Sequence, residues 1–387
     1  MVYADNAGTT RLSEAAFNAM LPYLRENYGN PSSMYLYGRE AKRAVEEARE
    51  KMAALLGAQP DEIYFTGSGT EADNWAVRGA FQLKKSKGKH IIATAVEHHA
   101  VLNTVNSLGK TEGAGVTLLP VDGLGQVDPS ELERSITEET ILVSIMTANN
   151  EIGTILPIES LCRAAHARGV LFHTDAVQAV GHVPVNVKSS GVDMLSLSAH
   201  KFCGPKGAGA MYIKKGVGLP AFMTGGGQER TRRSGTENVA GIVGMAAALE
   251  EAARNMDANI AAISAMRDRL IKNLLKIPYS RLTGDPSDRL PGTASFIFEC
   301  VEGESMILSL DREGIAASSG SACSSGSLDP SHVLLAIGLA HEEAHGSVRL
   351  SLNENNTEDD VDYISEKLPP IVEKLRAMSP LWEEKAK

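Results

Sequence analysis

The sequence predicts an α/β protein: a large unit built on a mostly parallel sheet sandwiched by helices, followed by a smaller α+β unit. Three observations carry this expectation. Short apolar runs recur through the first half of the chain, separated by helical or turn-rich stretches. A long stretch at 238–276, rich in Ala, Leu, Met, Glu and Arg, reads as a helix leading into a second unit. Beyond it, TASFIFEC and GSVRLSLN read as strands of that unit.

Taken in order, residues 13–25 and 38–56 show helical periodicity. EIYFTGSGTEADNWAV then reads as strand, Gly-rich turn and helix, and HIIATAVE, GVTLLPV, TILVSIMTAN, VLFHTDA, DMLSLSA and GAMYIK read as further strands. No internal repeat or low-complexity linker interrupts them. The division expected is 13–255 for the large unit, with 1–12 and 256–387 forming the smaller one that carries Cys323. In an open α/β sheet ligands gather beyond the carboxyl ends of the strands, where the polar residues of these segments cluster. The site is expected there.

With 387 residues and 43% hydrophobic content the chain can bury a sizeable core. Its net charge of −10 comes from 48 acidic and 38 basic residues mixed throughout. No single-sign block forms a nucleic-acid or membrane footprint, so small polar substrates and soluble protein partners fit better. The start MVYADNAGTT lacks a charged and then apolar leader, and no long apolar run follows, so a cytoplasmic protein is expected. Cys162, Cys203, Cys300 and Cys323 form no CxxC pair and are expected as free thiols, with no metal site among them.

Five segments carry chemistry. In DMLSLSAHKFCGPKG, Ser198, His200 and Lys201 follow a strand; an amine there is partly desolvated and suited to attack a carbonyl, although a lysine beside a turn is commonly just solvated. In VLFHTDAVQAVG, Asp175 and Gln178 follow a strand, where an acid could hold a cofactor's ring nitrogen protonated or simply cap a helix. In AVEHHAVLN, His98 or His99 could stack on a flat ring or be structural. In TGSGTEADN, Gly69 and Thr70 offer backbone amides at a helix start, a phosphate cradle that also matches GxGxxA, but without the acid that a dinucleotide site needs about 20 residues on. In ASSGSACSSGSLDP, a Ser- and Gly-rich context makes Cys323 an accessible thiol, while Cys162, in a helical pattern, Cys300, in a strand, and Cys203, beside the lysine turn, read as small hydrophobes. His341, Glu342 and His345 match HExxH, but Gly338 and Gly346 leave room for only about two turns of helix and no third zinc ligand stands out.

From ADNAGTT through GNPSS, TGSGTEADN, EHHAV, NNEIG, HTDAVQ, SAHKFCGPKG, GGGQERTRRSGTEN and SSGSACSSGS to VRLSLN, the chain resembles the group I cysteine desulfurases of the NifS and IscS type. The resemblance runs nearly end to end, with the motifs in order. It implies the type I fold of pyridoxal-phosphate (PLP) enzymes and a homodimer with its sites at the subunit interface. It implies that Lys201 carries the coenzyme and moves the proton at the substrate Cα. Asp175 would pair with the ring nitrogen, Asn150 and Gln178 would bond the ring oxygen, and His98 would stack on the ring and assist proton transfer. Gly69, Thr70, Ser198 and His200 would hold the phosphate, joined by Thr236 from the partner subunit. Arg349, with Asn150, would grip the substrate carboxylate, and Cys323 would take sulfur from L-cysteine as a persulfide, leaving alanine. The acceptors implied are proteins such as an iron–sulfur scaffold, with which Cys323 could transiently share a cluster, or a thiolation partner. The pattern departs at Tyr35, Gly8 and SLNENN, on the substrate-side rim, and SPLWEEKAK stops short of the tail of scaffold-delivering members, which points toward the NifS side or a specialised paralogue. A selenocysteine lyase, or another lyase or aminotransferase of this fold that does not use Cys323, is the second reading.

Overall fold

The computed structural model describes residues 1–319 and 330–385. In chain order its strands are β1 (Val2–Tyr3), β2 (Ile63–Thr66), β3 (His90–Thr94), β4 (Gly115–Leu119), β5 (Thr140–Ser144), β6 (Leu171–Asp175), β7 (Met194–Ser198), β8 (Gly209–Ile213), β9 (Ser280–Leu282), β10 (Thr293–Phe298), β11 (Ile315–Ala316) and β12 (Ser347–Ser351). Every apolar run named above contains one of these strands. Seven of them form one sheet in the order β2-β8-β7-β6-β5-β3-β4. Neighbours are parallel except β8, which runs antiparallel to both β2 and β7. The reason is chain length: residues 199–208 are too few for a crossover, so β8 must fold straight back on β7. That short return leaves Lys201 at the carboxyl edge of the sheet.

The helices α1 (Glu14–Arg25), α2 (Leu36–Leu56), α3 (Gly69–Lys84) and α4 (His99–Glu112) start and stop where side-chain chemistry dictates. Ser13 caps α1 by accepting the Ala16 N–H at 3.1 Å. Along α2, Ala41, Val45, Ala48, Met52 and Leu56 are buried at helical spacing, and Gly57 ends it at φ +73°. Residues 238–276 contain one long helix, Val239–Leu274, whose first turn is capped by Asn238. Its buried residues up to Leu249 belong to the core that packs on the seven-stranded sheet. From Ile263 onward they join a second core with β10, β12 and the helix Glu358–Arg376.

This second core sits on a three-stranded antiparallel sheet, β12-β10-β9. The N-terminal strand β1 pairs with β11, and Asp5 bridges to Ser351, so the first residues of the chain lie beside β12. Two expectations change. Cys300 lies in a turn just past β10, at φ +61°, and not in a strand; it is half-buried. The HExxH segment forms a helix of only four residues, His341–Ala344, and among the described residues no metal-binding cluster includes it.

Candidate active site

A cavity of about 400 Å³ opens at the carboxyl ends of β6 and β7, a size that suits a small cofactor with its substrate. The five residues of β7 are all buried, and the chain leaves the strand at Ser198 into a single tight turn, Ala199–Lys201. A hydrogen bond from His182 Nε2 to the Lys201 carbonyl at 2.8 Å steadies that turn. The Lys201 side chain lines the cavity, and its Nζ donates to the carbonyls of Ala7 at 2.6 Å and Gly8 at 2.7 Å.

Asp175 ends β6 on the cavity floor. It accepts the Val177 N–H at 2.9 Å, the local bond that a helix cap would make, yet the residues that follow form turns and not a helix. Burial pushes its pKa up to about 6, against the downward pull of that N–H and of the Lys201 charge. Gln178, in the same turn, donates to the Ala7 carbonyl at 2.9 Å. On the opposite side Ser68 caps α3 by accepting the Glu71 N–H. The first N–H groups of that helix, at Gly69 and Thr70, have no acceptor within the helix and face the cavity as an anion cradle. Glycine is needed at 69: a Cβ there would lie 2.6 Å from Val177 Cγ2.

His98 caps α4, its Nδ1 accepting the Ala100 N–H at 3.1 Å, so the neutral ring carries its proton on Nε2. Burial first, then Lys201, lowers its pKa to about 4. The same causes bring His200, which contacts Thr9 Oγ1 at 3.1 Å, to about 4. Both rings are neutral at neutral pH. Arg349, from β12, is 3% exposed; its guanidinium donates to the Asn150 carbonyl and to Asp5 Oδ1, both at 2.8 Å. A Cβ at Gly8 would lie 2.6 Å from the Asp5 carboxylate, so a larger residue there would make that carboxylate shift.

The structure thus gathers Lys201, His98, Asp175, Gln178 and Asn150 with Gly69, Thr70, Ser198, His200 and Arg349 around one cavity. Thr236 is exposed and lies away from it. Cys323 lies outside the described residues, but the chain on each side of its segment is tied to this site. Ser318 exchanges backbone hydrogen bonds with Arg349, and Ser331 donates to the buried Glu151 next to Asn150. Sequence reasoning missed Asp5 and Asp73. Asp73 follows Gly69 by one helical turn and therefore shares its face, a signal present in TGSGTEADN. Asp5 meets Arg349 only because chain ends 344 residues apart converge, which no local pattern announces.

The donor set fits PLP: an amine aimed into the cavity, a helix N-terminus that only glycine fits, and a buried acid on the floor. Such a set suits a PLP-dependent enzyme. Lys201 would hold the coenzyme covalently, the Gly69 and Thr70 amides would hold its phosphate, and Asp175 would hold its ring nitrogen.

One neighbour of the site shapes stability. Glu97 is fully buried, accepts from Thr94 Oγ1 at 2.8 Å and from the Met146 N–H at 2.9 Å, and its Oε2 has no partner among the described residues. Burial pushes its pKa up to about 8. The folded state therefore binds a proton that the unfolded state releases near the ordinary glutamate value of 4.5. This contribution is fully present below that value and is lost as pH rises to about 8. Glu97→Gln cannot lose the proton, so its melting temperature relative to wild type should climb by a few degrees between pH 5.5 and 8.5. A pH-independent difference in thermal melts contradicts this.

Fold and cavity together define an enzyme of the Aminotransferase class-V family, whose sequence model matches residues 2–364. Its relatives narrow the class. The chain is 53% identical to cysteine desulfurase IscS of Methanosarcina thermophila, over 98% of this chain and 94% of that one. It is 52% identical to cysteine desulfurase IscS of Dictyoglomus turgidum, over 99% of this chain and 97% of that one. A solved NifS-like protein superposes with a TM-score of 0.91 at 40% identity, covering 97% of this chain and all of the other. Within the class-V family the chain belongs to the cysteine desulfurases.

Proposed function

We propose that the enzyme moves the sulfur of free L-cysteine onto Cys323 as a persulfide, releases L-alanine, and hands the sulfur to an acceptor protein such as an iron–sulfur scaffold. The observation that carries this reading is the convergence of Lys201, Asp175 and Arg349 on one cavity. PLP supplies an electron sink that makes the bonds at the substrate Cα and Cβ labile. The protein does the rest. Arg349 and Asn150 bind and orient the substrate carboxylate, fixing which bond faces the ring. Lys201 removes and returns the proton at Cα. His98, neutral and with its proton on Nε2, covers the ring and relays protons. The Cys323 thiolate attacks the substrate Sγ: the Cβ–Sγ bond breaks as the S–S bond forms, and Cβ is then protonated. The sum, cysteine plus enzyme thiol giving alanine plus enzyme persulfide, is redox-neutral.

The anchoring of residues 318 and 331 beside the cavity supports Cys323 as the acceptor. An exposed apolar stretch at Met34, Tyr35, Leu36 and Tyr37, with Leu24 and Tyr28 nearby, supports a homodimer in which Thr236 reaches the partner's phosphate cradle. The split of the buried face of the helix Val239–Leu274 between two cores supports a division at 13–255 against 1–12 with 256–387. Among the described residues no helix is long and apolar enough to cross a membrane, and a cytoplasmic site of action is part of the proposal.

Single-turnover mixing with one equivalent of L-cysteine should yield equal amounts of alanine and of persulfide on Cys323. Sulfide release without protein persulfide contradicts the proposal. Arg349→Ala should raise KM for cysteine by about ten- to a hundredfold, with a smaller change in kcat, because a binding contact is lost. An unchanged KM removes Arg349 from the substrate site.

A further inference from the structure

The mechanism leaves one buried acid on the cavity floor without a task. Asp73, on α3, is 1% exposed, and its Oδ1 has no hydrogen-bond partner among the described residues. Its carboxylate, that of Asp175 and a ring nitrogen of His98 lie within 4.8 Å of one another. Two carboxylates this close and both shut off from water do not both stay charged, so the pair retains a proton.

Local geometry decides which one keeps it. Asp175 accepts the Val177 N–H and is favoured as an anion by the Lys201 charge. Asp73 has neither a backbone N–H nor a nearby cation to favour its anion, only the Ser196 hydroxyl. The nearest ring nitrogen, His173 Nε2, is 3.7 Å away, and both nitrogens of that ring are already engaged, with Ser196 and Ser144 at 2.9 Å. His173 brings no positive charge, since complete burial lowers its pKa to about 3. Burial first, then Asp175 and more weakly Glu97, push Asp73 well above the carboxylate range, with the Ser196 hydroxyl pulling the other way.

We propose that Asp73 is a positioning residue for the coenzyme: it holds the proton of a two-carboxyl pair and leaves Asp175 as the single negative charge that meets the ring nitrogen. The inference rests on the assignment of Asp175 made above. It follows that Asp73 is also a reserve anion, able to ionise when Asp175 is neutralised.

The test is PLP affinity, measured by titrating PLP into apoenzyme for wild type, Asp73→Asn, Asp175→Asn and the double variant. Asp73→Asn should stay within about threefold of wild type, because an amide reproduces a neutral, donor-bearing carboxyl. Asp175→Asn should raise the PLP Kd by about tenfold or more, with the loss of a charge-assisted hydrogen bond. The double variant should exceed the product of the two single effects by roughly another tenfold, since the reserve anion is gone as well. In substrate-free holoenzyme the pH midpoint of the visible absorption band should be unchanged in Asp73→Asn. Additive effects, a shifted midpoint, or a tenfold loss from Asp73→Asn alone would overturn the pair while leaving Asp175 in its role. An unchanged Kd in Asp175→Asn would overturn both. If Asp73→Asn fails to fold, Asp73→Ser, which keeps a neutral donor, should show the same pattern.

Discussion

Replacing Lys201 with Ala is expected to lower cysteine desulfuration by on the order of a thousandfold or more and to abolish the visible absorption band of the purified enzyme. Both effects have one cause. Lys201 Nζ enters the cavity from the turn after β7 and is held by the Ala7 and Gly8 carbonyls, and among the described residues no other lysine lines the cavity. Losing the amine removes the covalent tether and the group that moves the Cα proton. The rest of the PLP cradle is untouched, because Gly69, Thr70, Asp175 and His98 come from other segments. The variant should therefore still bind PLP reversibly. Absorption spectra and PLP content after gel filtration check this, and a variant that keeps the wild-type band contradicts it.

Cys323→Ala carries the second large effect, a loss of alanine formation of roughly a hundredfold or more with an unchanged coenzyme spectrum. The chemistry behind it is selective. Cys162 and Cys203 are buried, and burial pushes each thiol up to about 12, so neither is a thiolate at neutral pH. Cys300 lies in a separate cavity, beside Glu302 and His345. No other cysteine stands in for Cys323. The selenocysteine lyase reading predicts the opposite outcome, full turnover without this thiol, so alanine release by Cys323→Ala separates the two directly.

Much of the fold was legible because it depends on local pattern. A buried strand of the main sheet has to be apolar along its length, and HIIATAVE, TILVSIMTAN, VLFHTDA, DMLSLSA and GAMYIK each announce one, while GVTLLPV marks the more exposed edge strand β4. The helix Val239–Leu274 was visible for a similar reason, since its composition favours helix over nearly its whole length. Cys300 was misplaced because Phe298, Glu299 and Cys300 alternate apolar and polar as a continuing strand would, while the strand ends at Phe298 and the backbone turns with Cys300 in a left-handed conformation.

The site was legible in proportion to how local its parts are. Ser198, His200 and Lys201 share one strand end, and Gly69 and Thr70 share one helix start, so a motif can name them. The Asp5 contact with Arg349 and the Asp73 pairing with Asp175 are tertiary facts: each acid looks like an ordinary surface or helix residue until another part of the chain arrives beside it. Burial then changes their chemistry, and burial is set by the whole fold rather than by neighbours in sequence.

The most direct test of the account is to treat the holoenzyme with borohydride, which fixes the coenzyme to whichever amine holds it, and to map the modified peptide by mass spectrometry. The structure predicts one pyridoxyl group per chain, on Lys201. A label on any other lysine, or no label on enzyme that contains PLP, would contradict it.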